Sequence, residues 1–228
     1  MAKPPSRRSS SQEIDRFLHK SKAIATFVEK QPRLLFAIDA TASRQATWDS
    51  ASQLQQQMFR SAGKVASLAV QLCYYRGFHD FFASGWLTDS ARLAQLMGQV
   101  HCEGGHTQIA RLLRHAREEH RKASVKAVVF IGDAMEESPD TLCNLAGQCG
   151  LLGLPLFLFQ EGRGADVEQT FRSMAKLSGG AYARFDANSA DTLAALLGAV
   201  ASYATGGRAA LENNASDSAR LLLQQIRS

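Results

Sequence analysis

The first oxygen-bearing residues at a regular spacing in this sequence follow the end of an apolar run. Residues 34–38 are apolar, Asp39 follows them, and Thr41 and Ser43 come at steps of two residues. A short apolar run that ends in an aspartate is typical of a buried strand that delivers polar side chains to the rim of a sheet. Carboxylate and hydroxyl oxygens at such a rim are candidate ligands for a functional site.

A second apolar run ends in the same way. Residues 125–131 are rich in β-branched side chains, and Gly132 and Asp133 follow them. In open α/β sheets, sites form beyond the carboxyl ends of the strands, where the strand order reverses. If the two runs form neighbouring strands, we expect the carboxylates of Asp39 and Asp133 to meet at one crevice.

Strand-like runs alternate with helical periodicity along most of the chain. Apolar residues recur at helical spacing over residues 44–62 and in segments near 90–97, 109–116, 139–149, 167–175 and 193–200, between strands predicted at 34–39, 125–131, 154–159 and 181–185. This alternation predicts a doubly wound, Rossmann-like α/β fold with a mostly parallel central sheet and helices on both faces. The runs 65–75 and 78–85 are joined by Arg76-Gly77, which favours a hairpin and therefore one antiparallel edge strand.

The sequence predicts four segments. Residues 1–11 are rich in Pro, Ser and Arg and predict a disordered basic arm. Residues 12–31 carry an apolar helical face and predict an N-terminal helix that packs on the domain or on a partner. Residues 32–207 form the predicted α/β domain, and residues 208–228 a tail with a short helix around 221–226.

The positive charge of the chain is concentrated at its N-terminus. The formal net charge is +5, and seven basic against three acidic residues give residues 1–30 a net charge of +4. The basic character therefore belongs to the arm, and it is weak evidence for a nucleic-acid-binding core. The run 111–122 is mixed in sign and helical, so it predicts a solvated helix face that includes His115 and His120.

Cysteine usage and hydropathy favour a cytoplasmic protein without a membrane span. The four cysteines form no Cys-x-x-Cys pair, and their surroundings are mostly apolar, which favours reduced thiols. The N-terminus has basic residues but no apolar core of a secretory signal. No apolar run approaches the roughly 20 residues that a membrane-spanning helix needs.

The oxygen-bearing residues occur in the order found in von Willebrand factor type A (vWA) domains, which this chain resembles over about residues 33–204. Such domains carry a metal-ion-dependent adhesion site built from three loops. The first has an Asp-x-Ser-x-Ser motif, matched here by DATAS beginning at Asp39. The second has a threonine at the start of a helix, matched by GGHT ending at Thr107, and the third has a strand-end aspartate, matched by IGDA around Asp133.

The resemblance implies that Asp39, Thr41, Ser43, Thr107 and Asp133 hold a metal ion. Two carboxylates, three hydroxyls and water form an all-oxygen shell, which suits Mg²⁺, or else Mn²⁺ or Ca²⁺. Because the hydroxyl ligands are neutral, the ion keeps positive charge and can take a carboxylate from a partner protein. We therefore expect a metal-dependent protein–protein interaction module in an intracellular assembly, without enzymatic activity.

Two alternative functions stay open. An aspartate at each of two strand ends superficially resembles the haloacid-dehalogenase phosphatases, which suggests a metal-dependent phosphohydrolase. That family wants Asp-x-Asp, whereas position 41 here is threonine. The other alternative is a scaffold with a vestigial metal site, which would bind its partner through the predicted helix at 14–28 or through the C-terminal tail.

Several neighbouring residues bear on the metal hypothesis. Arg44 directly follows Ser43, and its guanidinium would repel the ion if turned inward or would help to hold an acidic ligand. Loop 101–106 contains histidines, a cysteine and a glutamate that suggest a transition metal, but no second ligand group has a matching spacing. Glu136 and Glu137 are either acceptors behind the metal ligands or the solvated N-terminus of the following helix.

Overall fold

The computed structural model describes residues 14–17, 31–44, 68–185 and 190–226. The chain divides into two compact units, Met1–Gln31 and Pro32–Ser228. In the first unit, the described residues form one helical turn, in which Phe17 is exposed. The predicted arm, nearly all of the rest of the predicted N-terminal helix, and residues 45–62 of the helix predicted at 44–62 lie outside the described residues.

In the part of the second unit that the structure describes, six strands form one sheet. They are β1 (Arg33–Asp39), β2 (Ala69–Arg76), β3 (Asp80–Ala83), β4 (Val125–Gly132), β5 (Leu156–Glu161) and β6 (Ala181–Phe185). The strand order is β3-β2-β1-β4-β5-β6, and only the β2–β3 pair is antiparallel. This order confirms the predicted mostly parallel sheet with one antiparallel edge strand.

The predicted hairpin is confirmed with shorter strands. β2 and β3 are joined by a turn at residues 77–79, in which Gly77 has a φ of +55°. A positive φ is strained for residues with a Cβ, so glycine suits this position. The turn lies at the end of the sheet to which the carboxyl end of β1 also points, since β1 and β2 are parallel.

Six helices cover the sheet in the described part of the chain. They are α1 (Ser90–Met97), α2 (Ile109–Lys122), α3 (Pro139–Leu151), α4 (Ala165–Ser178), α5 (Ala190–Glu212) and α6 (Asp217–Leu223). Asp89 caps α1, because its carboxylate accepts a hydrogen bond from Ala91 N at 2.8 Å. None of the described helices combines the length and the apolar character that crossing a membrane would need.

The core has one layer on each face of the sheet. Alternate residues of β1 divide between them: Phe36 and Ile38 pack with α1, α5 and α6, whereas Leu35 and Ala37 pack with α2, α3 and α4. All residues of β1 after Arg33 are buried. A strand that is buried on both faces reads as a continuous apolar run, which explains why β1 was recognisable in the sequence.

The C-terminal segment differs in detail from the prediction. The short helix α6 begins at Asp217 rather than near residue 221, because the Ser216 hydroxyl accepts a hydrogen bond from Ala219 N at 3.1 Å and caps an earlier start. Leu222 and Ile226 are buried in the same core layer as α5. Non-helical backbone at Gly206 and Gly207 interrupts α5 where the end of the α/β domain was predicted, and the helix then continues to Glu212.

Candidate functional site

The first loop of the candidate site holds its aspartate rigidly. Asp39, the last residue of β1, is fully buried. Its Oδ1 accepts a hydrogen bond from Thr41 N at 2.8 Å, and its Oδ2 accepts one from the Tyr75 hydroxyl at 3.0 Å. Two directed hydrogen bonds fix the plane of the carboxylate before any ligand binds. Tyr75 comes from β2, directly opposite Asp39 in the sheet register.

The two hydroxyls of this loop face each other. Thr41 Oγ1 and Ser43 Oγ are 3.1 Å apart, Thr41 is buried, and Ser43 is exposed within a single 3₁₀ turn, Ala42–Arg44. The first loop therefore presents two neighbouring hydroxyl oxygens beside a buried carboxylate. The side chain of Arg44 is not among the described parts of the chain, so both hypotheses for its guanidinium stay predictions.

The second loop, residues 101–108, lies against the first. Glu103 pairs with Thr41 in an isolated parallel bridge, and Glu103 N donates to Ala40 O at 3.0 Å. This short piece of sheet continues β1 beyond Asp39. It brings the loop that leads to Thr107 to the same rim as the first loop, as the resemblance implied.

A close backbone contact anchors the second loop to the β2–β3 turn. A Cβ added to Gly105 would lie 2.0 Å from the carbonyl carbon and oxygen of Gly77, which leaves room for glycine alone. His106 N donates to Gly77 O at 3.2 Å, and Gly77 N donates to Glu103 O at 3.5 Å. Arg76 pairs with Asp80 at 2.7 Å, and the hydrogen bond to Asp80 raises the pKa of Arg76 above its usual value. The turn and the loop thus form one assembly.

Thr107 is held from the third loop by two glutamates. Its hydroxyl donates to Glu137 Oε2 and accepts from Glu136 N at 2.9 Å, and its own N–H donates to Glu136 Oε2 at 3.0 Å. Glu137 Oε1 also accepts from Ala110 N at 3.0 Å, in the first turn of α2. The pair was predicted to stand behind the ligands or at the start of its own helix. The structure places it against Thr107 and the start of a different helix, α2.

Asp133 follows β4 directly, and β4 is the neighbour of β1. A Cβ on Gly132 would be 3.5 Å from Asp39 Cβ, so the chain passes Asp39 immediately before Asp133. Asp133 Oδ1 is buried and has no hydrogen-bond partner among the described residues. A buried carboxylate oxygen without a partner costs free energy, and such an atom in a native protein calls for a ligand, an ion or a water.

The donors at this rim fit a hard divalent cation. The carboxylates of Asp39 and Asp133 and the hydroxyls of Thr41, Ser43 and Thr107 offer only oxygen atoms, which such a cation prefers as ligands. In the described ranges there is no group of three or more His, Cys, Asp or Glu side chains arranged for a metal. The transition-metal alternative has no support, since His106 contacts Glu136 at 2.7 Å and Glu103 lies 3.6 Å from Arg76.

Two residues of this region, Tyr75 and Glu161, were not predicted from the sequence. Tyr75 gave no signal, because its bond to Asp39 depends on the register between β1 and β2. Glu161 ends β5 and is buried, and the preceding Gln160 pairs with Gly132 in the sheet. The rule that flagged Asp39, an acidic residue at the end of a buried strand, would also have flagged Glu161.

The face of α2 is less solvated than predicted. Glu119 is buried, its Oε2 accepts from Trp86 Nε1 at 3.2 Å, and its Oε1 accepts from Lys122 Nζ at 2.7 Å. Burial raises the pKa of Glu119, but the hydrogen bonds outweigh it and the net shift is downward. His115 is half-buried against Gln71 at 2.9 Å, and burial lowers its pKa. The prediction of a solvated face is therefore wrong at Glu119, and His115 is only partly solvated.

Solved structures place this architecture among vWA folds. The chain is similar to an aerotolerance-related membrane protein from Bacteroides fragilis, with 16% identity, 71% of this chain and 94% of that chain covered, and a TM-score of 0.57. The VWA domain of SpRpn10 has 8% identity and a TM-score of 0.55, with 72% of this chain and 95% of that chain covered. The pilus adhesin SpaC from Lactobacillus rhamnosus GG has 11% identity and a TM-score of 0.61, with 77% of this chain and 30% of that chain covered.

These likenesses establish the fold. The chain has a vWA-like Rossmann fold, with a six-stranded, mostly parallel sheet between helices. No protein-family model and no curated protein matches the sequence.

Proposed function

From the vWA fold and its three converging loops, we propose that this chain is a protein-interaction module that binds a divalent cation. Asp39, Thr41, Ser43, Thr107 and Asp133 hold the ion, which is Mg²⁺, or Mn²⁺ or Ca²⁺ in the same oxygen shell. When bound, the ion supplies an incompletely neutralised positive charge that attracts a carboxylate from a partner protein. In this proposal the chain's own residues hold and orient the ion.

One observation carries this proposal. Asp133 Oδ1 is a buried carboxylate oxygen without a hydrogen-bond partner among the described residues, and it directly follows the strand that passes Asp39. A cation bound at this rim would supply the missing partner of Asp133 Oδ1. The carboxylate of Asp39 stands at the end of the neighbouring strand, and the hydroxyls of the first loop stand at the same rim.

The exposed hydroxyl of Ser43 provides the cleanest test. Because Ser43 is exposed, Ser43→Ala leaves the core intact, and the double variant Thr41→Val/Ser43→Ala removes both hydroxyls of the first loop. Isothermal titration with Mg²⁺ and Mn²⁺ should show binding to the wild type, weaker binding to Ser43→Ala and still weaker binding to the double variant. Ser173→Ala, which removes a partly exposed hydroxyl on α4 away from the three loops, is the matched control and should bind as the wild type does.

A thermal melt checks the same premise without relying on heats of binding. At a concentration 100 times the Kd, a cation that binds only the folded state stabilises it by about 2.7 kcal/mol. The melting temperature should therefore rise with Mg²⁺ and fall back with EDTA. If neither titration nor melting detects an ion, the metal-dependent function is wrong.

The partner's acidic residue can be tested once an ion is found. Candidate partners captured with Mg²⁺ should be released by EDTA and should not bind the double variant. Replacing one Glu or Asp of such a partner with Gln or Asn should abolish capture, because the amide cannot replace a carboxylate at the ion. We also propose a cytoplasmic location, which the lack of a Cys-x-x-Cys pair and the mostly apolar surroundings of the cysteines favour.

A scaffold with a vestigial site is the second candidate. It is favoured by the hydrogen bonds within the rim, which engage oxygen atoms that an ion would need. Asp39 accepts from the Tyr75 hydroxyl and from Thr41 N, and the Thr107 hydroxyl bonds to Glu137 and to Glu136 N. On this hypothesis, partner capture would persist in EDTA and in Ser43→Ala.

We propose that the chain is not a phosphohydrolase. A dehalogenase-type enzyme needs a second carboxylate two residues after the nucleophilic aspartate, and Thr41 at that position instead pairs its hydroxyl with Ser43. Hydrolysis of a generic phosphoester that requires Mg²⁺ and is lost in Asp39→Asn would refute this part of the proposal.

A further inference from the structure

The hydrogen-bond capacity of the Thr107 hydroxyl is almost fully used. A hydroxyl has one proton to donate and two lone pairs to accept with. The proton of Thr107 goes to Glu137 Oε2, and one lone pair accepts from Glu136 N at 2.9 Å. Among the described residues, nothing occupies the other lone pair. Thr107 is 6% exposed, so this lone pair lies among the packed loops rather than in bulk solvent.

Glu137 determines the direction of the Thr107 hydroxyl. An ionised carboxylate can only accept hydrogen bonds, so the proton on Thr107 must turn toward it. The second oxygen of Glu137 accepts from Ala110 N at 3.0 Å, which satisfies a free N–H in the first turn of α2. Gln108, at the N-cap of α2, makes no side-chain cap bond, so Glu137 supplies the cap from another loop. Both carboxylate oxygens are thereby engaged.

Glu136 holds the backbone of the same residue. Its Oε2 accepts from Thr107 N at 3.0 Å and contacts His106 Nδ1 at 2.7 Å. The loop after Asp133 therefore fixes both the main chain and the hydroxyl of Thr107. The two glutamates thus give the third loop a defined connection to the second loop.

We infer that Glu137 is a positioning residue for the cation site: it takes the proton of Thr107 and so leaves a lone pair, rather than a hydrogen, for the ion. This inference rests on the proposed function. It assigns to Glu137 an effect on cation affinity that works through Thr107, without contact between Glu137 and the ion.

The variant Glu137→Gln tests this inference by reversing the polarity of one hydrogen bond. To keep the bond from Ala110 N, the new amide must turn its oxygen to that N–H and its NH₂ group to Thr107. The hydroxyl oxygen then accepts two hydrogen bonds, from the amide and from Glu136 N, and its proton turns toward the site. The shape of the side chain and the cap of α2 are retained.

The affinity for Mg²⁺, measured by isothermal titration, should fall about 10- to 100-fold in Glu137→Gln. Thr107→Val should show a similar loss, and Thr107→Val/Glu137→Gln should lose no more than Thr107→Val alone, because both changes remove the same lone pair. Glu118→Gln, an equal change of charge on the exposed face of α2, should bind as the wild type does. The melting temperature of Glu137→Gln without metal should stay close to that of the wild type.

The outcomes separate the inference from the function. If the wild type binds no cation, the proposed function fails. If the wild type binds and Glu137→Gln binds equally well, the function stands and the inference is overturned. A further loss of affinity in the double variant would also overturn it, since Glu137 would then act independently of Thr107.

A measurement on the wild type covers the case in which Glu137→Gln does not fold. The ¹³C signal of the Glu137 carboxyl group and the hydrogen exchange of the Ala110 amide are followed during a Mg²⁺ titration. The inference predicts that the Ala110 amide stays protected and that the Glu137 carboxyl keeps its hydrogen bonds. Loss of that protection, with Glu137 moving onto the ion, would refute the positioning role.

Discussion

Gly105, the second glycine of the GGHT motif, should be required for steric reasons, whereas Gly104, the first, should not. Gly105→Ala places a Cβ 2.0 Å from the carbonyl carbon and oxygen of Gly77, whereas a Cβ at Gly104 meets nothing within 4 Å. Both residues lie in the same loop, and neither has a positive φ. The two substitutions are thus chemically identical and differ only in their surroundings.

The cost of Gly105→Ala follows from that contact. Atoms at 2.0 Å must separate by at least about 1 Å, and the neighbouring atoms are backbone, which cannot rotate away. The strain of such overpacking is about 1–3 kcal/mol. Two hydrogen bonds cross the contact, at 3.2 and 3.5 Å, and their length puts each near the lower limit of about 0.5 kcal/mol. We expect a total loss of about 2–4 kcal/mol.

Thermal and chemical denaturation measure this loss. For a chain of this size, about 2–4 kcal/mol corresponds to a fall in Tm of roughly 4–16 °C. Gly104→Ala should be neutral or stabilising by about 0.4–1 kcal/mol, because alanine reduces the freedom of the unfolded chain. Because the Gly105 loop carries Thr107, Gly105→Ala should also weaken Mg²⁺ binding. Equal melting temperatures for the two variants would refute the reasoning.

Three further predictions concern buried polar and titratable groups. Tyr75→Phe removes the donor to Asp39 Oδ2 and should cost about 1–3 kcal/mol, so an unchanged denaturation midpoint would contradict it. Burial lowers the pKa of His115, so the neutral form stabilises the fold and stability should fall as pH drops below about 6.5 toward the lowered value. His115→Gln should flatten that slope of Tm against pH, and an unchanged slope would argue against it. Burial raises the pKa of Cys149 to about 11 and also raises that of Cys73, so iodoacetamide at pH 8 should modify both thiols only after unfolding, as peptide masses would show.

Local patterns in the sequence were sufficient for the elements and for the strand-end aspartates. The apolar run of β1 is visible because that strand is buried on both faces, so its pattern needs no knowledge of its neighbours. The N-cap Asp89 and the glycine that ends α4 are likewise local, since Gly179 adopts a φ of +75° at the helix end. The positions of Asp39 and Asp133 at the rim followed from the same apolar runs.

The wrong predictions also came from local patterns in the sequence. The half-buried His115 and the buried Glu119 were predicted to be solvated, because their burial depends on Trp86 and Gln71 packing against α2 from other elements. The start of α6 was predicted too late, because several residues of this polar segment could cap a helix and only the packed structure selects Ser216.

The oxygen ligands themselves are a property of the sequence, but their arrangement depends on tertiary structure. The pairing of β1 with β4 brings Asp39 next to the segment that carries Asp133, and the β1–β2 register brings Tyr75 onto Asp39. The hydrogen bond from Thr107 to Glu137 spans 30 residues, so no helical or strand period can reveal it. Side chains so far apart in sequence meet only after strand order, register and loop contacts have been selected together, because each of these depends on packing across the whole sheet.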